Sequence, residues 1–171
     1  MKTTFGEIRK FNPCADGWKK LRNNLNPEMD MEKEVTILEI LDSNGVKDAF
    51  WALRTQDYRD YCLILADVAE SVLHIFEEKN KGDTRPREAI EAIRKWHSGI
   101  ITDAELKNAA ASAAAAYAAY AAAGAADAAY AAAYAAASAA AADAAGAAAD
   151  DAAGADLQWK KNEEILRKHL S

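Results

Sequence analysis

Hydrophobic residues recur at spacings of three and four through the first hundred residues, which is the period of an amphipathic α-helix. The longest such stretch runs from a cap at Thr55 or Asp57 to about Glu78. A second stretch follows Thr84 and ends at Ser98-Gly99. Alternating segments with the period of a β-strand are absent from the sequence. We therefore predict an all-α fold.

Shorter apolar segments with capping residues predict the helices of the first 54 residues. Thr4 to Glu7 has the Ser/Thr-x-x-Glu form of a capping box, and Asn12-Pro13 supplies a cap and a first helical residue for the next helix. Two further helices are predicted over Glu34–Leu41 and Val46–Arg54, with an Asn-Gly pair between them as a left-handed cap. The main core of the N-terminal bundle is predicted to contain Trp18, Leu63, Val72, Phe76 and Trp96.

Residues 109–156, which we call the alanine tract, hold 34 alanines in 48 positions. Alanine is the best helix former, and the capping box at Thr102–Glu105 opens the helix that enters the tract. One helix from Asp103 to Leu170 would be about 100 Å long, whereas a domain of the preceding residues has a radius of gyration of about 13 Å. We therefore predict a helical N-terminal domain over 1–101 and an alanine-rich helical region over 102–171. We expect that region to form a helical hairpin that packs back on the bundle or on a second chain.

The spacing of the larger residues in the tract predicts where the hairpin turns. Each residue of an α-helix turns by 100° around the helix axis. Counted from Tyr117, the residues other than alanine from Tyr120 to Ser138 lie at angles between about 220° and 340°. Those from Asp143 onwards fall between about 20° and 100°, apart from Asp151 and the terminal Asp156. This change of face predicts a turn between 138 and 146, with Gly124 as the second choice.

The charge balance of the chain favours a protein partner over nucleic acid. Lys and Arg number 21 against 27 Asp and Glu, which gives a net charge of −6, and the tract carries five Asp but no basic residue. Direct binding to a phosphate backbone relies on clustered cations, whereas an acidic surface fits a partner with a basic surface. The sequence shows no signal peptide and no run of about 18 strongly apolar residues. We expect a cytoplasmic protein of a bacterial host cell, without membrane association.

Patterns typical of catalysis or metal binding are not found in the sequence. His74, His97 and His169 form no HExxH motif, and Cys14 and Cys62 have neither the spacing of metal ligands nor that of a disulfide framework. Glycine-rich phosphate-binding motifs are also missing. We therefore predict no enzymatic activity, no cofactor and no metal.

Acidic and aromatic side chains of the tract are the first candidates for partner binding. Tyrosine is a rigid, amphipathic contact residue that is enriched in interface hot spots. The candidates are Asp127, Asp143, Asp150, Asp151, Asp156, Tyr117, Tyr120, Tyr130 and Tyr134. As alternatives, the tyrosines could form a core stripe and the aspartates a solvated face. The second-choice site is Arg85 and Arg87, which could hold an anion with Arg94 and Lys95 or simply pair with acidic neighbours.

Four segments carry a resemblance to a known family: Asn12–Trp18, Ile40–Gly45, Phe50–Arg54 and Thr84–Ala92, the last followed by the alanine tract. With these segments the chain resembles, over nearly its whole length, the alanine-rich Imm-5 like "putative immunity proteins" of bacteria and their phages. The RPREAIEA sequence joined to the tract is the most specific part. The resemblance implies an inhibitory binder inside the cell, and membership in phages implies a role in counter-defence. It implies no catalytic residue.

We accordingly predict a non-enzymatic intracellular inhibitor, of the immunity type or a phage counter-defence protein, that binds a toxin or a nucleic-acid-handling defence protein. The alternative is an anti-CRISPR-like mimic of nucleic acid, in which the tract aspartates imitate phosphates. A structural or ice-binding alanine helix ranks lower, because such helices carry regularly spaced threonines that the tract lacks. A homodimer is left open.

Overall fold

The structure, a computed structural model, describes the chain over residues 1–79, 81–118 and 152–171. By contacts the chain divides into two units, Met1–Tyr61 with Lys161–Ser171 (unit 1) and Cys62–Lys160 (unit 2). The domain boundary after residue 101 stays a prediction. The turn between 138 and 146 lies outside the described residues, so the hairpin also stays a prediction.

The described elements are mainly helical, which confirms the all-α fold. In chain order they are β1 (Lys2–Thr4), α1 (Phe5–Lys10), α2 (Ala15–Leu25), β2 (Glu34–Thr36), α3 (Ile37–Asn44), α4 (Val46–Ala52), a 3-10 turn (Leu53–Thr55), α5 (Tyr58–Lys79), α6 (Arg85–His97), α7 (Asp103–Ala118) and α8 (Ala152–Leu170).

A small antiparallel sheet of β1 and β2 replaces the predicted start of a helix at Glu34. Thr3 lies opposite Val35, and the backbone N–H of Phe5 donates to the carbonyl of Lys33 at 3.2 Å. The helix starts at Ile37 because Thr36 and Glu39 form a reciprocal capping box immediately before it. The prediction of a helix over Glu34–Leu41 was therefore wrong for its first three residues.

Capping residues explain where the other helices of unit 1 begin and end. The Thr4 hydroxyl accepts from the backbone N–H of Glu7 at 3.1 Å, as predicted for α1. The predicted cap at Asn12-Pro13 was wrong, because Asn12 takes a positive φ of 51° at the end of the preceding turn. Instead the Cys14 Sγ accepts from the backbone N–H of Gly17 at 3.3 Å and caps α2. After α3, Gly45 adopts a φ of 98°, which favours glycine.

The buried side chains of unit 1 come from both ends of its sequence. They include Phe5, Ile8, Trp18, Leu21, Ile37, Ile40, Leu53 and, from α8, Leu166. Arg167, next to Leu166, donates to the carboxylate of Asp42 at 2.7 Å and to that of Glu163 at 2.9 Å. The prediction that Trp18 is a core residue is confirmed.

Among the described side chains of unit 2, α5 and α6 supply most of the buried ones, and α6 packs along α7. Asp57 caps α5 as one of the two predicted residues, since its carboxylate accepts from the backbone N–H of Arg59 at 2.9 Å. Val72 is buried as predicted, whereas Leu63 and Trp96 are only half-buried. The side chain of Phe76 lies outside the described part.

Candidate functional site

Most of the predicted partner-binding residues lie outside the part of the chain that the structure describes. Tyr117 and Asp156 lie in the helical backbone of α7 and α8, and the side chains of all nine predicted residues are outside the described set. The structure does describe the helices that lead into and out of the tract. The acidic and aromatic site stays a prediction.

Both helices that flank the tract are attached within unit 2. At the start of α7, Thr102 and Glu105 form the predicted capping box, and the indole N–H of Trp96 donates to the Asp103 carboxylate at 2.6 Å. Leu106 of α7 is buried. On α8, the Gln158 amide donates to the Ser71 hydroxyl at 3.0 Å. The tract is therefore entered and left through helices held by specific side-chain contacts.

The second-choice site, Arg85 and Arg87, is engaged in bidentate ion pairs. Arg85 donates through Nε and Nη2 to the two carboxylate oxygens of Asp83 at 2.8 and 2.7 Å, and these bonds lower the pKa of Asp83. Arg87 donates in the same way to Glu77 on α5, at 2.8 Å for each bond. Planar bidentate pairs of this kind are geometrically specific. Both arginines therefore pair with acidic neighbours, and their role as an anion site stays a prediction.

Arg94 joins α6 to α5 through two carboxylates at once. Its Nη2 lies 2.7 Å from Asp67 Oδ1 and 2.6 Å from Glu70 Oε2. The hydrogen bonds from Arg94 hold the pKa of Glu70 below its ordinary value of 4.5. By comparison, Lys95 Nζ lies 3.8 Å from the Glu91 carboxylate one turn earlier, on the exposed side of the same helix.

Replacing Arg94 by methionine is expected to lower the free energy of unfolding by about 1–2 kcal/mol at pH 7, because Asp67 and Glu70 would face each other without their cation. The value is below that of a buried pair, since the Arg94 side chain is 35% exposed. The lowered pKa of Glu70 adds stability at pH values above 4.5 that is lost as the pH falls towards the lowered pKa. The difference between wild type and variant should therefore shrink below pH 4.5.

Urea denaturation of both proteins at pH 7 and at pH 3.5 measures this effect. Lys95→Met is the matched control, because it removes an exposed cation from the next position of α6 and should change the free energy by no more than about 0.5 kcal/mol. Equal midpoints for the Arg94 and Lys95 variants at pH 7 would show that the bridge between α5 and α6 adds no stability.

Unit 1 contains a small apolar cleft that the sequence did not reveal, and we call it the tryptophan cleft. It has a volume of about 70 Å³. Its apolar wall is formed by Ile8, Trp18, Leu21, Ile40, Trp51 and Ala52. Residues from four helices separated in sequence meet there, so no local pattern marks it. At the edge of the cleft, the guanidinium group of Arg54 stacks on the ring of Trp51. These two residues lie one helical turn apart, and this spacing is the signal of the stacking that the sequence contains.

Polar groups occupy one side of the tryptophan cleft, where α2 meets α3 and α4. The Asn44 amide donates to the carbonyl of Gly17 at 2.9 Å and to Oδ2 of Asp48 at 2.8 Å. A β-carbon at position 17 would lie 2.9 Å from Asp48 Oδ2 and 3.1 Å from Cys14 Sγ. Glycine at this position therefore permits the close approach of these two side chains.

The described ranges contain neither a candidate metal cluster nor a candidate membrane-spanning helix. Across residues 1–79, 81–118 and 152–171, no three His, Cys, Asp or Glu side chains are grouped so that they could hold a metal ion. None of the helices described over the same ranges has the length and apolar character that crossing a membrane requires.

Comparison with protein families places the paired arginines and the tract in one matched segment. Residues 52–167 match the family described as "Imm-5 like putative immunity protein". The chain belongs to this family. The match confirms the resemblance carried by the RPREAIEA sequence and the tract, but it starts at Ala52, so Asn12–Trp18 and Ile40–Gly45 lie outside it. No curated protein and no solved structure matches the chain.

Proposed function

We propose that this Imm-5 like protein is a non-enzymatic intracellular inhibitor that binds a protein partner through its alanine tract. Membership in the immunity-protein family is the observation that carries the proposal, because the matched residues 52–167 include the whole tract. The partner is a toxin or a nucleic-acid-handling defence protein with a basic surface.

The charge distribution within the matched segment supports the tract as the binding surface. Arg85, Arg87 and Arg94 each donate to carboxylates of unit 2 at 3.1 Å or less, so their charge is already matched within that unit. The five aspartates of the tract have no basic residue among residues 109–156 that could pair with them along a helix. In the sequence, Asp127, Asp143, Asp150 and Asp151 have no Lys or Arg within four positions, and such a run of negative charge would attract a partner with clustered cations.

Long-range attraction between such surfaces acts mainly on the rate of association. Opposite charges steer two proteins together, and the effect weakens steeply with ionic strength. Toxins and defence proteins that act on nucleic acid carry basic surfaces for that purpose. A protein that covers such a surface would inhibit the toxin or defence protein by binding alone, without a catalytic step.

Converting Asp143, Asp150 and Asp151 to asparagine should slow association with the partner on the order of tenfold at low salt and flatten its salt dependence. The partner is first captured from a bacterial lysate with the full chain as bait, and the rates are then measured by surface plasmon resonance at several salt concentrations. Alanine at Tyr130 and Tyr134 should instead raise the dissociation rate, since such contacts act after docking.

A control variant with the same change of net charge separates the tract from the rest of the surface. Glu28, Glu32 and Glu164 are exposed, and their replacement by glutamine removes three charges from unit 1. Association rates that fall equally in both triple variants would show an effect of net charge alone. An unchanged rate and salt slope in the aspartate variant would contradict the tract as the interface.

A further inference from the structure

We propose that the tryptophan cleft of unit 1 is a second interaction surface, which takes one apolar side chain carried on an acidic segment of a partner protein. Its lining residues from Ile8 to Trp51 lie outside the matched family segment, which starts at Ala52. The inference therefore does not depend on the immunity role or on the tract.

The size and wall of the cleft define the apolar part of the occupant. Two indole rings and four aliphatic side chains surround about 70 Å³. An apolar cavity of about 150 Å³ accepts a benzene molecule. The tryptophan cleft is therefore suited to a single branched aliphatic side chain, and the surrounding residues must supply the rest of the binding energy.

Three cations contact residues that line the cleft. The guanidinium carbon of Arg9 lies 5.3 Å from the ring centroid of Trp18, and that of Arg54 lies 4.4 Å from the ring centroid of Trp51. The Lys20 ammonium group donates to the carbonyl of Asn44, another lining residue, at 3.1 Å. Within the described ranges, none of these three cations forms an ion pair with a carboxylate.

Arg9 and Arg54 differ in this respect from the arginines that form ion pairs in the structure. Arg85, Arg87, Arg94 and Arg167 each reach a carboxylate at 2.7 Å or less. Arg9 and Arg54 are exposed, and Nε of Arg54 donates to the Trp51 carbonyl at 2.9 Å, which leaves its two Nη groups to meet a carboxylate in bidentate geometry. The rim of the cleft is therefore complementary to an acidic segment.

Asp48 is the carboxylate that opposes this charge, because it also lines the cleft. Its Oδ2 already accepts from the Asn44 amide at 2.8 Å and lies beside Gly17 in the first turn of α2. The positive end of a helix stabilises a negative charge at that position. With one carboxylate held in this way against three cations, the rim remains positive.

Cys14 provides a direct measure of occupancy, since it lines the cleft and is exposed, whereas Cys62 is buried. The probes are three peptides at millimolar concentration: acetyl-Glu-Glu-Leu-Glu-Glu-amide, the same peptide with Ala for Leu, and the same peptide with Lys for every Glu. Alkylation of the full chain by iodoacetamide is followed by mass spectrometry. The acidic leucine peptide should slow alkylation of Cys14 at least threefold, and the other two should not.

Variants of the rim test whether charge decides the binding. Arg9→Gln with Arg54→Gln should abolish the protection by the acidic leucine peptide. Lys2→Gln with Lys33→Gln removes two exposed cations elsewhere in unit 1 and should preserve it. In every sample, an unreactive Cys62 shows that the fold is intact.

Four outcomes would overturn the inference: no protection by the acidic leucine peptide, equal protection by the lysine peptide, equal protection by the alanine peptide, or protection that survives in the double arginine variant. Protection by the lysine peptide alone would instead indicate binding of a cation at Asp48. The tract aspartates are unchanged in these experiments, so a failure here leaves the proposed function untouched.

Discussion

Alanine in place of Phe5 is expected to lower the free energy of unfolding by about 3–5 kcal/mol, the range for removing a buried aromatic ring. Phe5 is 0% exposed, and its ring meets that of Trp18 edge-on at a centroid distance of 6.0 Å. Its backbone N–H also donates to Lys33 at the end of the β1–β2 pairing. The substitution would open a cavity between α1 and α2 that rigid neighbours fill only in part.

Phe11 offers a matched control at the other end of α1, because its side chain is 44% exposed. Phe11→Ala should cost about 1 kcal/mol or less, since nearly half of its surface already contacts solvent. Urea denaturation followed by circular dichroism gives both values. Similar midpoints for the two variants would contradict the burial of Phe5.

Leu166→Ala is expected to cost about 2–5 kcal/mol, because Leu166 is 0% exposed in unit 1, although it lies more than a hundred residues after Met1–Tyr61, the larger segment of that unit. Leu157, also on α8, is 69% exposed. Its replacement by alanine should change the free energy by no more than about 0.5 kcal/mol. Thermal unfolding of both variants measures the difference. A small effect at position 166 would show that residues 161–171 do not belong to unit 1.

Helix boundaries marked by side-chain caps could be predicted from the sequence. Thr102 and Glu105 open α7, Asp57 caps α5, and Gly45 closes α3 with a positive φ. Each of these positions depends on a side chain and a backbone group within a few residues. Local chemistry was therefore sufficient for them.

The strands and the cap of α2 could not be predicted in this way. β1 and β2 have three residues each, too few for an alternating pattern, and they exist because segments about 30 residues apart pair. Cys14 caps α2 through its sulfur, although cysteine is not among the residues preferred at that position. Asn12 was the better candidate by type, but its positive φ assigns it to the preceding turn.

The two tryptophans predicted for the core show how a polar edge can change burial, whereas Leu63 is half-buried without one. Trp18 is buried with its ring against Phe5, whereas Trp96 stays half-buried because its indole N–H reaches the Asp103 carboxylate beyond the end of α6. Periodicity alone assigns both tryptophans to apolar faces. The partner of a polar atom is set by the tertiary fold.

The candidate sites were predictable to different degrees. The acidic tract is visible in the sequence, and its role stays a prediction. For Arg87, an acidic partner was one of two alternatives, but Glu77 could be named only from the packing of α6 on α5. The tryptophan cleft depends on four helices meeting, so neither its wall nor Arg9 at its rim could be assigned from spacing. Arg54 is the exception, because it lies one helical turn after Trp51.

The division of unit 1 into two distant segments has a consequence for synthesis on the ribosome. Residues 1–61 emerge first, yet their unit is complete only when residues 161–171 have also been made. At about 5–20 residues per second, the intervening hundred residues take on the order of 5–20 seconds. During that interval the nascent chain exposes the apolar surface that Leu166 later covers. A stop codon before position 166 would therefore leave a product that is recognised by chaperones and proteases.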